Sequence, residues 1–432
     1  MCSHNHLNKS YNNKILCPKC DLLVALPVLE QGTKASCPRC HTVLFAKWKY
    51  LANQPTATII AISALVMLFI SGLFPYVKIS IMGIENQISI FDIAHVMFEI
   101  NYASLGLFFI FFVVAIPAFC MVAIILLCQR VNLPIWLKIN LARTLFQMKT
   151  WCMVEIFLAA VLVSFIKLMA YCKITFGISF IPYCFFCLLQ VRAFQCLDRY
   201  WLWQQIGEVP QLEIQLQEGK SGISQDVRSC HICMAILAIK IKYCPRCHVK
   251  GYVRRPNSLQ NTMALLLSSL ILYIPANILP VMITNTLSTR LDSTIMSGVI
   301  LLLGDDSYLI AIIIFITSIM VPSLKIVALG WLCFNAKGYG NQDSVKMHFI
   351  YKLVELVGRW SMIDVFVISI LSSMMQMGPL MNVLPALGVI LFASVVILTM
   401  FSAITFDPRL TWDRCNVVLP NKIWLRKGFQ GG

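Results

Sequence analysis

The residues of this chain best suited to chemistry are cysteines in pairs. Cys17-x-x-Cys20 and Cys37-x-x-Cys40 lie sixteen residues apart, and Cys230-x-x-Cys233 and Cys244-x-x-Cys247 lie ten apart. A two-residue gap lets both sulfurs of a knuckle reach one ion, and two knuckles supply the four thiolates of a tetrahedral zinc site. Pro18, Pro38 and Pro245 suit the tight turn inside a knuckle. With all four positions filled by sulfur, such a site is structural, so two zinc ions per chain are expected. The rival reading is a dithiol redox pair. It is weakened because the pairs come in twos and no βαβ pattern surrounds them. His41 and His248 each follow a last cysteine and read as solvated. Cys184 and Cys187 lie inside an apolar run and read as packing. Cysteines 2, 120, 128, 152, 172, 196, 333 and 415 show no ligand spacing and are assigned no role.

The second set of candidates is ionisable residues inside apolar runs. Asp364 sits within GRWSMIDVFVISIL, and Lys325 within MVPSLKIVAL. A charge in hydrocarbon is costly and usually faces a bundle interior or a wet cavity. Counted at 1.5 Å per residue, both lie about 15 Å deep on consecutive antiparallel helices, so they can meet. Two readings stay open: a structural ion pair, or a pair lining a polar cavity. Ser318, Ser323 and Ser361 share these helices and favour the cavity, although serines also allow close helix approach. Glu155 and Lys167 are the corresponding charges of the first half. Their separation, about 18 Å along one helix, rules out a direct pair. Arg359 reads as snorkelling to the membrane edge.

These residues require membrane elements to hold them. Of 432 residues, 59% are hydrophobic and only 12% charged, and mean hydropathy is +0.77. A soluble domain carries about 25% charged residues. The net charge of +16 does not point to nucleic acid, because the cations fall in alternate loops. Eight runs are long enough to span: Thr56–Val77, Ala103–Cys128, Trp151–Cys172, Ile174–Val191, Ser258–Ser288, Ser307–Asn335, Leu353–Gln376 and Pro379–Phe406. The N-terminal region is rich in Lys and opens with a polar stretch that does not resemble a signal peptide. The next loop carries Glu85, Asp92 and Glu99. The alternation continues to the basic tail, so both termini are expected in the cytoplasm.

Internal spacing suggests a duplicated design. Pro75 and Pro280, and Pro117 and Pro322, share an offset of 205 residues. CPRC recurs after 207 residues, and the segment at Trp151–Glu155 matches Trp360–Asp364 at 209. Four helices per half is an even number, so the halves should be parallel repeats. The expected fold is therefore an all-α integral membrane protein with eight transmembrane helices in two parallel four-helix repeats. A small cytoplasmic zinc-ribbon-like module precedes each repeat. The divisions are 1–50 (module 1), 51–198 (first membrane domain), 199–228 (linker), 229–254 (module 2), 255–410 (second membrane domain) and 411–432 (basic tail). GKS at 219–221 is not a phosphate loop, because position 214 is Ile. With no nucleotide motif, any energy source is external, proton-linked or absent.

Across nearly the whole chain the motifs resemble one family. LYIPANILPVM, STIMSGVI, VPSLKIVAL, GRWSMIDVFVISIL and FDPRLTWD are similar to those of the paraquat-inducible protein A family of Gram-negative inner-membrane proteins. The resemblance implies a multi-pass protein of the cell inner membrane, not an enzyme. It implies a periplasmic MCE-domain protein as partner and phospholipid or a similar amphiphile as cargo. It places Lys325 and Asp364 in a polar core used for transport, and the eight knuckle cysteines in two zinc ribbons. Two other functions are weighed: a membrane thiol oxidoreductase using the Cys-x-x-Cys pairs, and a passive anchor for the periplasmic partner.

Overall fold

The structure, a computed structural model, describes residues 14–25, 33–46, 54–81, 84–129, 132–168, 173–197, 199–207, 216–286, 290–304, 308–338, 344–375, 381–413 and 424–427. Its helices are, in order, α1 (Gln54–Leu73), α2 (Ile90–Glu99), α3 (Ala103–Phe109), α4 (Ile116–Cys128), α5 (Ile135–Met148), α6 (Val154–Leu168), α7 (Phe180–Cys196) and α8 (Arg199–Ile206). They continue as α9 (Ser258–Ile278), α10 (Ile295–Gly304), α11 (Tyr308–Phe315), α12 (Val321–Lys337), α13 (Ser344–Trp360), α14 (Ile363–Met374) and α15 (Leu387–Thr405). The chain is mostly helical. Among the described residues, six stretches are long and apolar enough to cross a membrane: 56–73, 103–128, 135–165, 258–278, 316–337 and 387–405.

Two of the six are joined through a π-helical turn. Ile110–Ala115 links α3 to α4, and Ile316–Met320 links α11 to α12. Each precedes a proline at the second position of the following helix, Pro117 or Pro322. A proline lacks the N–H and crowds the carbonyl one turn back, and a wider turn relieves both. The helix therefore continues instead of ending.

The expected all-helical membrane body needs a correction. Strands Val77–Ile81, Ile84–Ile88 and Lys173–Phe176 form one antiparallel sheet, and Met282–Thr286, Arg290–Ser293 and Met381–Pro385 form another. Within the runs expected as helices at Ile174–Val191 and Pro379–Phe406, the described residues thus include the strands Lys173–Phe176 and Met381–Pro385, with α7 and α15 starting later. The run at Ser258–Ser288 leaves its helix at Ile278. Glycine closes each sheet against the bundle. A Cβ on Gly177 would lie 2.1 Å from the Pro75 carbonyl oxygen, and one on Gly388 would lie 2.5 Å from that of Pro280.

The stretch 199–228, expected as a linker, carries defined structure among its described residues. Arg199–Ile206 is a helix that buries Trp203. Further on, Gly219, Lys220 and Gly222 bond to the backbone of Asp21 and Leu23. Residues 219–222 are therefore part of the packing of the first cysteine module. The tail also contributes, since Trp424–Lys427 pairs with Thr33–Ser36.

The modules dock crosswise. Module 1 rests on α13 of the second half. Lys19 pairs with Glu355 at 2.9 Å and lies over the Tyr351 ring, and Thr42 meets His348 Nε2 at 3.4 Å. Module 2 rests on the first half, where Arg143 of α5 donates to the Cys247 carbonyl (2.5 Å) and Arg199 to the Ile232 carbonyl (2.7 Å). Half-buried Arg254 bridges Asp21 (2.9 Å) and Asp413 (2.6 Å).

Candidate functional site: two cysteine clusters and a broken helix

Each cysteine cluster is built from two identical turns. The amide of the residue after each knuckle donates to the carbonyl of its first cysteine: Asp21 to Cys17, His41 to Cys37, Met234 to Cys230 and His248 to Cys244, at 2.8–3.0 Å. Those four residues all have φ between 53° and 60°. Left-handed backbone there curls the loop so that both sulfurs point inward. His41 and His248 are exposed, which fits turn positions rather than ligands.

The four sulfurs of each cluster lie within 4.8 Å of one another and are all buried. The closest contacts are 3.5 Å for Cys17–Cys40 and Cys20–Cys37, 3.4 Å for Cys230–Cys247 and 3.5 Å for Cys233–Cys244. A zinc tetrahedron with sulfur at about 2.3 Å has edges of about 3.8 Å, so the donor set fits with a small expansion. Hydrogen bonding from its neighbours, Cys233 first, holds the Cys230 thiol well below its usual range. Four thiolates so close need a cation to offset their repulsion. The eight expected ligands are thus brought together in two sets of four, and either set could hold a zinc ion.

The run Leu353–Gln376 was expected as one helix and is instead two. The first, α13, ends at Trp360, Ser361 and Met362 form a turn, and α14 begins at Ile363. Asp364 is therefore not at mid-helix. It lies in the first turn of α14, 8% exposed, where free backbone N–H groups and the positive end of the helix dipole favour a carboxylate. Lys325 of α12 is 2% exposed, and its Nζ donates to the Gly358 carbonyl at 3.4 Å. That carbonyl belongs to the last turn of α13, the negative end of its dipole. Ser361 Oγ donates to the same oxygen at 2.9 Å. Each charge thus faces the helix end of opposite sign, which reduces the cost of burying it.

The serines divide by role. Ser318 is buried in the π turn before α12. Ser323 Oγ donates to the Ile319 carbonyl at 2.6 Å and meets Tyr273 of α9 at 2.9 Å, tying α9 to α12. Further along α14, Ser372 and Ser373 are buried hydroxyls without a hydrogen-bond partner among the described residues, as is Thr262 on α9. Buried polar groups of this kind are rare unless water or another polar ligand meets them.

The first half differs. Glu155 lies in the first turn of α6, in the same relation to a break after Trp151, but it is exposed. The backbone at Lys167 is helical, while its side chain lies outside the described residues. At this break Cys152 Sγ donates to Cys120 Sγ at 3.8 Å. The two are 32 residues apart in sequence, and no spacing rule joins them.

The model of the family described as "Paraquat-inducible protein A" matches residues 55–207 and again 259–416. The chain belongs to the paraquat-inducible protein A family. It is 56% identical over 414 residues to "Intermembrane transport protein PqiA" of Escherichia coli (strain K12), covering 96% of this chain and 98% of that one. It is 30% identical to "Probable intermembrane transport protein" of Haemophilus influenzae, covering 92% and 96%. It is 28% identical to "Lipophilic envelope-spanning tunnel protein A" of E. coli (strain K12), covering 92% and 90%. No solved structure matches. Together with six apolar spans, membership makes this a multi-pass membrane protein of an envelope transport family.

Proposed function

We propose that this chain is the inner-membrane component of an envelope lipid-transport system. It passes phospholipid or a similar amphiphile between the inner membrane and a periplasmic MCE-domain tunnel protein. It crosses the membrane eight times in two parallel repeats with both termini in the cytoplasm. The described spans, the short apolar helix Phe180–Cys196 and the broken α13–α14 unit are compatible with that count. Two zinc ions hold the cysteine modules as structural clamps.

The observation that carries the reading is the broken helix. Lys325 lies against the end of α13 and Asp364 at the start of α14, and the hydroxyls of Ser372 and Ser373 follow beyond. Discontinuous helices whose ends face polar groups at mid-membrane are a recurrent transporter device. In this reading Lys325, Asp364, Ser361, Ser318 and Ser323 line or gate the route, and Glu155 and Lys167 mark its weaker counterpart. The relatives' names support transport rather than catalysis. The test is complementation of an envelope-barrier defect by Lys325→Ala and Asp364→Ala variants shown to fold. Loss of the barrier is expected. Full rescue by both would favour a passive membrane anchor instead.

A further inference from the structure

The Lys325 and Ser361 side chains converge on the Gly358 carbonyl at the second break. Lys325 lies three residues after Pro322, and Ser361 directly after Trp360. At the first break the residue three after Pro117 is Cys120, and the one directly after Trp151 is Cys152. The polar tie of one break is therefore matched by two thiols at the other, with their sulfurs 3.8 Å apart. We infer that Cys120 and Cys152 are a redox site, closing reversibly to a disulfide that staples α4 to the turn between α5 and α6.

Several observations support this. Both cysteines are outside the two metal clusters. Their sulfurs are about 2 Å further apart than bonded ones, and Cys152 lies in the turn rather than within a helix. Cys120 is fully buried, whereas Cys152 is half-buried, so a small uncharged oxidant meets Cys152 first. In a reducing compartment such a pair rests as the dithiol and closes only under oxidant.

The oxidant class is an organic hydroperoxide, the product of lipid oxidation at a membrane surface. The Cys152 sulfur attacks the outer peroxide oxygen. The O–O bond breaks, the alcohol leaves with the thiol proton, and a sulfenic acid forms. The Cys120 sulfur then displaces the hydroxyl from that sulfenic acid. An S–S bond forms, and water leaves with the Cys120 proton. The dithiol loses two electrons and the peroxide gains them.

The test uses the full zinc-loaded chain in nanodiscs, treated with tert-butyl hydroperoxide and mapped by peptide mass spectrometry. The expected result is one cross-linked peptide pair joining Cys120 to Cys152, lighter by two hydrogens and reopened by dithiothreitol. Hydrogen exchange across residues 149–153 should slow on oxidation and recover on reduction. Cys152→Ser and Cys120→Ser should each lose the cross-link. The wild-type map decides by itself if either variant misfolds. Overturning results are a cross-link to Cys187 or Cys128 instead, links only between molecules, or Cys152 passing to the sulfinic acid with no link.

Discussion

If Lys325 and Asp364 share one polar chamber, replacing either should cost far more than replacing both. Lys325→Met keeps the volume and removes the ammonium. The Gly358 carbonyl keeps its bond from Ser361 Oγ at 2.9 Å, so the loss of Lys325's own 3.4 Å contact is not a loss of all partners. A charged hydrogen bond of this kind contributes about 1.5–3 kcal/mol. The larger part of the cost would come from a carboxylate at Asp364 that has lost its countercharge, about 3–5 kcal/mol in all. Asp364→Asn should cost a similar amount by stranding the ammonium. The double variant Lys325→Met/Asp364→Asn buries no charge and should approach the wild type. A double-mutant cycle read from thermal unfolding in detergent should give a coupling close to the two single costs together, about 6–10 kcal/mol. Each single variant should melt roughly 5–10 °C lower. Costs that add within about 0.5 kcal/mol would refute a shared chamber.

Much of the site was legible because its chemistry is local. Two Cys-x-x-Cys knuckles define a donor set wherever the chain goes, and long apolar runs announce spans. The break at Ser361–Met362 was not legible. It contains neither proline nor glycine, and the carbonyl freed there is met by Lys325 from a different helix. The strands Lys173–Phe176 and Met381–Pro385 were hidden because short apolar runs cannot be assigned to strand or helix by periodicity. Crosswise docking depends on side chains such as Lys19 and Arg143 meeting partners more than a hundred residues away. The Cys120–Cys152 contact is likewise tertiary.

Further outcomes follow from the same geometry. Exhaustive chelation should release about two zinc ions per chain and raise hydrogen exchange in α5 and α13, the helices on which the modules rest. Unchanged exchange there would argue against the crosswise clamp. Gly358→Ala would place a Cβ 3.3 Å from Lys325 Nζ. The flexible side chain can yield a few tenths of an ångström, so stability should fall by about 1 kcal/mol or less while transport falls more. Burial alone would raise the Asp407 carboxyl, but hydrogen bonds from Arg409 outweigh it and hold the group below the usual carboxylate range. Its stabilisation is present above the unfolded value of about 3.9 and fades as pH falls through the lower folded value. Asp407→Asn should thus cost about 1–3 kcal/mol at pH 7, and the gap should narrow in acid unfolding below about pH 4.

The most direct test of a lipid route past the broken helix needs no mutation. A phospholipid carrying a diazirine in its acyl chain is activated in native membranes, and the labelled peptides are mapped. The account predicts adducts inside the second half, on buried residues around Ser318 in the turn before α12 and around Ser369 and Ser372 in α14. Adducts confined to outward-facing side chains such as Leu267, Ile271 and Val327 would contradict it.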